Sequence, residues 1–161
     1  MPVGLFLRLR LTRARARLWS PQVGSGREGA LLGTRFYASL EADGHPEAER
    51  RIVEAKGGET VRSIVFDLSR RNRWPAPYTG RLLRNRHAET WLGREAELEA
   101  RMQEVRRDYT AARERGDFDV AGVIAGEACA LIHDVPSAAE IVERIVAQAE
   151  HLLALHRSAP H

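Results

Sequence analysis

Gly29-Ala30-Leu31-Leu32-Gly33-Thr34-Arg35-Phe36 is the stretch on which the fold turns. A short apolar run between glycines suits a fully buried parallel strand, and a buried helix turn has the same pattern. Read as a strand, it sets Gly33 and Thr34 at its carboxyl end. A glycine there lets the backbone approach an anion closely, because no Cβ stands in the way. Gly33 and Thr34 are therefore candidate phosphate contacts, weighed against a plain tight strand end.

Outward from this stretch the chain alternates periodic segments with breakers. Residues 46–57 read as a helix: Pro46 suits the first helical position, Ala48, Ile52 and Val53 share a face, and Gly57-Gly58 closes it. Thr60 to Phe66 is β-rich, and a strand or hairpin is expected around 60–85. The segment Ser69 to Gly80 contains Trp74-Pro75-Ala76-Pro77-Tyr78 and reads as an irregular loop. Residues 88–115 read as one long solvated helix with Trp91, Leu98, Met102 and Val105 as its buried stripe, an i,i+4 pair of Glu97 with Arg101, and Gly116 at its end. Residues 119–132 read as a packed helix around Gly122 and Gly126. Ser137 and Glu140 form a capping box ahead of Ile141, Ile145, Ala149 and Leu152.

The composition bounds the class. The 161 residues are 43% hydrophobic and 29% charged, with six histidines and a single cysteine, Cys129. That is one ordinary globular domain's worth of chain. No window approaches the apolar length that spans a bilayer. One cysteine excludes an internal disulfide and a thiolate cluster, and its apolar neighbours mark a buried small hydrophobe. A soluble cytoplasmic protein that binds no metal and no membrane is expected.

The net charge of +3 is unevenly placed. Arg8, Arg10, Arg13, Arg15 and Arg17 precede the first acidic residue, Glu28, and without them the rest is about two charges negative. Lys56 is the single lysine. So strong an arginine bias points to genome composition rather than phosphate recognition, and no nucleic-acid partner is expected. Residues 1–22 form a separate block with three readings: a targeting peptide, a basic arm that grips phosphates, or an N-terminus not native to the fold, from a shifted frame or misplaced start. The third is preferred on the resemblance described next.

Leu32-Gly33-Thr34-Arg35-Phe36, then Glu41, then His45-Pro46 resembles the end of the barrel in the nitronate monooxygenase family, a region shared with the flavin-dependent enoyl-(acyl-carrier-protein) reductases. Thr60-Val61-Arg62 to Phe66-Asp67 is similar to the family's strand after the barrel. Pro77-Tyr78-Thr79-Gly80-Arg81 with Leu83-Arg84-Asn85 is similar to its accessory helical region. Gly126-Glu127 to Leu131-Ile132 resembles a Gly-Gln-x-x-Gly-Leu-Ile element, with Glu in place of the usual Gln. Ala138 to Val142 also matches, so the resemblance runs in order over residues 28–155. The tract Val65 to Asn85 favours the nitronate branch.

What the resemblance implies is an α/β fold: the C-terminal fragment of an FMN-binding (β/α)8 TIM barrel, mostly α-helical here, with one to three short strands. Barrels of this type need roughly 250 residues and commonly hold phosphate in the loops after their last strands. The implied organisation is a non-native or disordered N-terminus over 1–22, the last barrel strand and helix over 23–57, and an accessory helical region over 58–161. The implied activity is oxidation of an alkyl nitronate with FMN and oxygen to a carbonyl compound and nitrite. Gly33 and Thr34 match the positions whose backbone amides hold the FMN phosphate. The family's histidine base comes from an earlier strand, so no catalytic residue carries over, and a truncated chain is expected to be inactive alone. Two alternatives stand beside this: a fragment of the enoyl reductase, or a helical interaction module with an Arg-rich arm.

The remaining candidates have plainer readings. Arg35 faces either a phosphate or an acidic helix. His45, just before Pro46, is read as a helix-start residue rather than a base. His133-Asp134 is read as a turn. His87, His151, His156 and His161 show no metal-ligand spacing.

Overall fold

The computed structural model describes residues 5–7 and 30–158. In chain order the elements are β1 (Leu5–Leu7), β2 (Ala30–Leu32), α1 (Thr34–Tyr37), α2 (Pro46–Glu54), β3 (Thr60–Arg62), α3 (Val65–Arg70), β4 (Arg81–Leu83), α4 (Arg86–Trp91), α5 (Glu95–Ala100), α6 (Met102–Glu114) and α7 (Ala138–Ser158), with a 3-10 turn at Glu127–Leu131 before the last. The chain divides into two compact units, Met1–Ala42 with Pro136–His161, and Asp43–Val135. The sequence boundary at residue 57 thus falls inside the second unit, and α7 belongs with the first.

In the first unit, β2 is only three residues long and pairs antiparallel with β1, Phe6 opposite Leu31. The expected parallel arrangement needs a neighbour running the same way, and the strand paired with β2 runs opposite. β1 also raises the described strands to four, one more than expected; it lies in the block read as non-native, most of which is outside the described residues. The strand stops at Gly33, and Thr34, Arg35 and Phe36 turn into α1 instead of extending it. The carbonyl of Gly33 accepts from the amides of Phe36 and Tyr37, each at 3.0 Å. α7 begins at the expected capping box: the Ser137 amide donates to Glu140 Oε2 at 2.9 Å and the Glu140 amide to Ser137 Oγ at 3.2 Å. Glu41 adds a second cap, its Oε2 accepting from the Ala138 amide at 2.8 Å. A carboxylate suits the positive end of a helix.

In the second unit, α2 buries Ala48 and Ile52 as its spacing predicts, and closes at Glu54 with Ala55 extended, before the Gly57-Gly58 pair. β3 and β4 form the expected hairpin-like ladder, Val61 opposite Leu82. β3 ends at Arg62, and Val65 and Phe66 enter α3. α3 then sits between two apolar clusters. Val65 joins Trp91, Leu98 and Val105, with Met102 packed against them; Phe66 joins Leu82, Ala88 and Tyr109. The predicted stripe of the long helix is therefore correct in membership, although the helix itself is three pieces. Gly93 adopts φ 78° and ends α4, and the chain bends again at Arg101. The bends let Arg94 and Arg101 lie over the Trp91 ring at 5.5 and 5.7 Å. The ion pairs follow the pieces: Arg94 meets Glu97 and Arg101 meets Glu104, in place of the expected Glu97–Arg101 pair. Gly116, at φ 74°, closes α6 as expected.

Residues 119–132 do not form the expected packed α-helix; they hold the 3-10 turn at Glu127–Leu131 after an extended stretch. The backbone of 123–125 runs beside β4: Leu83 donates to the Val123 carbonyl at 2.9 Å, and Leu82 bridges Ile124. Gly122 shows why. A Cβ there would stand 2.5 Å from Leu82 Cδ2 and 2.9 Å from both Phe66 Cδ1 and the Tyr109 hydroxyl. Its amide donates to that hydroxyl at 2.7 Å. The glycine serves close approach rather than helix packing. Gly122→Ala is expected to destabilise the chain by about 2 kcal/mol through overpacking, read as a lower urea midpoint at unchanged slope. An unchanged midpoint would show that Leu82 and Phe66 move aside.

Candidate functional site

The two residues singled out from sequence sit together at the β2-to-α1 junction. Gly33 is exposed, with φ −107° and ψ −64°, and a Cβ built on it would meet nothing within 4 Å. The junction therefore has backbone clearance, and Thr34 and Arg35 begin α1. Arg35 turns back on its own helix, Nη2 donating to the Ala38 carbonyl at 2.8 Å. Glu41, part of the same motif, is used as the cap on α7.

His45 takes the helix-start role. Its Nδ1 accepts from the Glu47 amide at 3.1 Å, and its ring packs on Phe118 at 5.4 Å and over Gly116. His133 and Asp134 lie in the irregular stretch before α7 rather than in a defined turn, both exposed. Glu127 is exposed and pairs with Arg81 at 3.0 Å. Cys129 is fully buried, and burial pushes its thiol up from the ordinary range, as suits an inert hydrophobe. Among the described residues no group of three or more His, Cys, Asp or Glu could hold a metal ion, and no helix is long and apolar enough to cross a membrane.

Two features of the second unit were not anticipated. Asp67 is 2% exposed, and its carboxylate accepts from Trp74 Nε1 at 3.0 Å and the Gly80 amide at 2.8 Å. It thereby fixes the proline-containing loop at both ends while Trp74 and Tyr78 remain exposed. His87 is 5% exposed, its ring 5.6 Å from Phe66 and 5.2 Å from Tyr109, with Nε2 3.0 Å from Ser69 Oγ. Burial lowers its pKa to about 4, so it is neutral near pH 7. The signal for His87 was present: Asn85 is a good N-cap, and a helix started there puts 87, 88 and 91 toward the core.

A cavity of about 300 Å³ lies between α2, β4 and the 118–123 segment, lined by Arg50, Arg51, Glu54, Arg84 and Asn85 among others. It is an ion-pair groove: Arg50 bonds Glu47 and Glu54, and Arg51 bonds Glu47, Asp119 and the Phe118 carbonyl. These pairs hold the Glu47 carboxyl down at about 2.

No family profile matches the sequence. It is 31% identical over 132 residues to a nitronate monooxygenase of Neurospora crassa and 32% identical over 134 residues to nitronate monooxygenase npaC of Metarhizium robertsii. Each match covers 80% of this chain but 33% and 37% of the relative, so the chain spans about a third of the length of the curated relatives it matches. Among solved structures it is similar to FabK from Thermotoga maritima, with a TM-score of 0.65 and 26% identity over 82% of this chain and 40% of that one. An M276A mutant of the same protein gives a TM-score of 0.56. The chain is a distant relative of the nitronate monooxygenase family.

Proposed function

We propose that this chain corresponds to the C-terminal end of an FMN-binding (β/α)8 barrel of the nitronate monooxygenase type, and that Gly33 and Thr34 supply backbone contacts to the FMN phosphate. The observation that carries the reading is the identity over 80% of the chain, in which the quoted motif falls at a strand-to-helix junction. The junction fits a phosphate, since Gly33 is exposed and has no obstruction where a Cβ would stand. FMN, when bound, supplies the redox chemistry that converts an alkyl nitronate and oxygen to a carbonyl compound and nitrite. This chain's share is to hold the phosphate and to cap and brace the junction through Glu41 and α7. No residue here is assigned as the base, so the chain by itself is expected to bind FMN weakly and to turn over no nitronate.

The test is FMN titration of the full chain, followed by flavin fluorescence. Gly33→Val is the control: the backbone angles at Gly33 are open to any residue, so its stability should change by at most about 0.5 kcal/mol, while added bulk blocks the phosphate. FMN uptake lost in Gly33→Val supports the reading; no uptake by the parent chain, or equal uptake by both, overturns the assignment of Gly33 and Thr34. The likeness to FabK keeps the enoyl-(acyl-carrier-protein) reductase branch as the second reading. Activity of a full-length relative carrying this segment separates the two: nitronate oxidation without NAD(P)H supports the first, and NAD(P)H-dependent reduction of an enoyl thioester the second.

A further inference from the structure

Between Glu59 and Glu89 the chain carries seven arginines and one acidic residue, Asp67, whose carboxylate is buried. Genome composition sets how many arginines a chain has; it does not withhold carboxylates from one stretch. The fold gathers these charges around the proline-containing loop. Arg71 and Arg73 follow α3 directly and are exposed. Arg106 of α6 reaches the same helix end, its Nε donating to the Leu68 carbonyl at 3.0 Å. Arg62 lies at the far end of the loop, its Nη1 donating to the Thr79 carbonyl at 2.8 Å. Elsewhere in this unit Arg50, Arg51, Arg94 and Arg101 are paired with carboxylates. Among the described residues Arg62, Arg71, Arg73 and Arg106 pair with none.

Two aromatic rings stand among these cations, Trp74 at 56% and Tyr78 at 65% exposure. The loop that carries them is fixed at several points. Asp67 holds Trp74 Nε1 and the Gly80 amide, the Asn72 amide donates to the Asp67 carbonyl at 2.9 Å, and the Tyr78 amide donates to the Pro75 carbonyl at 3.0 Å. A surface whose rings are already placed loses little freedom on binding. Exposed rings flanked by unpaired cations suit a phosphate backbone whose bases are free to stack. An acidic peptide would satisfy the arginines but brings no flat ring to Trp74 or Tyr78, and a lone nucleotide brings one base for two rings. We propose that the loop over 71–78, with Arg62 and Arg106, binds single-stranded nucleic acid, phosphates on the arginines and bases on Trp74 and Tyr78. The expectation of no nucleic-acid partner came from the charge of the whole chain, which hides this local excess.

The experiment is fluorescence anisotropy of a dye-labelled thymidine strand of about ten nucleotides, a length within the site size of such surfaces, titrated with the full chain. The expected result is saturable binding that falls about 20-fold between about 50 and 200 mM salt, the dependence of about three phosphate contacts. Tyr78→Leu should weaken it about fivefold or more through lost stacking. Arg71→Asn with Arg73→Gln should flatten the salt dependence to about threefold, since about one contact remains. Asparagine suits the φ of 60° at Arg71, so the fold is kept, and an unchanged urea midpoint checks this. A chain with Arg8, Arg10, Arg13, Arg15 and Arg17 replaced by serine should still show the loss in Tyr78→Leu. No saturable binding, equally tight binding of polyglutamate, equally tight binding of thymidine monophosphate, or binding that survives the loop variants and disappears with the five N-terminal arginines would each overturn the proposal.

Discussion

Asn85→Ala is expected to lower the stability of the chain by about 3 to 4 kcal/mol, an exceptional loss for one polar side chain. Asn85 is 8% exposed and uses its amide in both directions. Its Oδ1 accepts from the Ala88 amide at 3.1 Å and so caps α4, while Nδ2 donates to the carbonyls of Phe118 and Ala121 at 3.0 and 2.9 Å. Alanine leaves the Ala88 amide and the Ala121 carbonyl without their partners and takes one of two donors from the Phe118 carbonyl, which keeps Arg51, and each group left unsatisfied costs about 1 to 3 kcal/mol. Asn85→Asp sharpens the test: it keeps the cap but turns a carboxylate oxygen onto two carbonyl oxygens, so it should be no better than alanine at pH 7. Urea unfolding at constant slope reads both. A loss below about 1 kcal/mol for Asn85→Ala would mean that these bonds contribute little beyond what water supplies.

The second large effect is an acid transition that belongs to His87. Its pKa is about 4 in the fold against 6.5 for the exposed ring. The unfolded chain therefore binds more protons between these values, and stability rises with pH across the window. The contribution is fully present above about pH 6.5 and is lost as pH falls toward 4, by about 3 kcal/mol in all. Burial against Phe66 and Tyr109 is the cause. Tyr109 is itself neutral here, its hydroxyl pushed up by the same burial, and Arg86 of α4, Arg101 between α5 and α6, and Glu104 and Asp108 of α6 line a small cavity at which His87 lies. Glu47 does not confuse the reading, because its carboxyl, held at about 2 by Arg50 and Arg51, acts in a lower window, below 4.5. His87→Gln keeps a donor for Ser69 and removes the titration. Stability measured from pH 7.5 to 4 should fall for the parent chain and stay nearly level for His87→Gln. Equal slopes for both would assign the acid loss to other groups.

Particular residues show what could be read in advance. The α7 capping box, the helix start at Pro46, the stop at Gly116 and the core faces of α2 and α6 were all legible, because each depends on residues within a turn or two of one another. The long helix over 88–115 was overdrawn, because Gly93 at φ 78° interrupts it, and a lone glycine within a helical pattern costs only about 1 kcal/mol. The 119–132 segment was misread because small apolar residues suit both a packed helix and an extended run against a neighbour. Gly33 and Thr34 fall at the end of β2, as the apolar run ending in a glycine implies, while the burial of His87 and Asp67 was not read: for His87 the Asn85 cap two residues earlier was the overlooked signal, and for Asp67 no neighbouring residue gives one.

By itself, then, the sequence determined where elements start and stop, which faces are apolar, and the relation to the nitronate monooxygenases, since caps, periodicity and motifs are local properties of the chain. Only the tertiary structure decided that β2 runs antiparallel to β1, that Gly122 must be a glycine, and that His87 is neutral beside a small cavity. Those outcomes depend on the distance and solvent exclusion between residues remote in sequence, such as Gly122 with Leu82 or His87 with Ser69, and no local pattern encodes that distance.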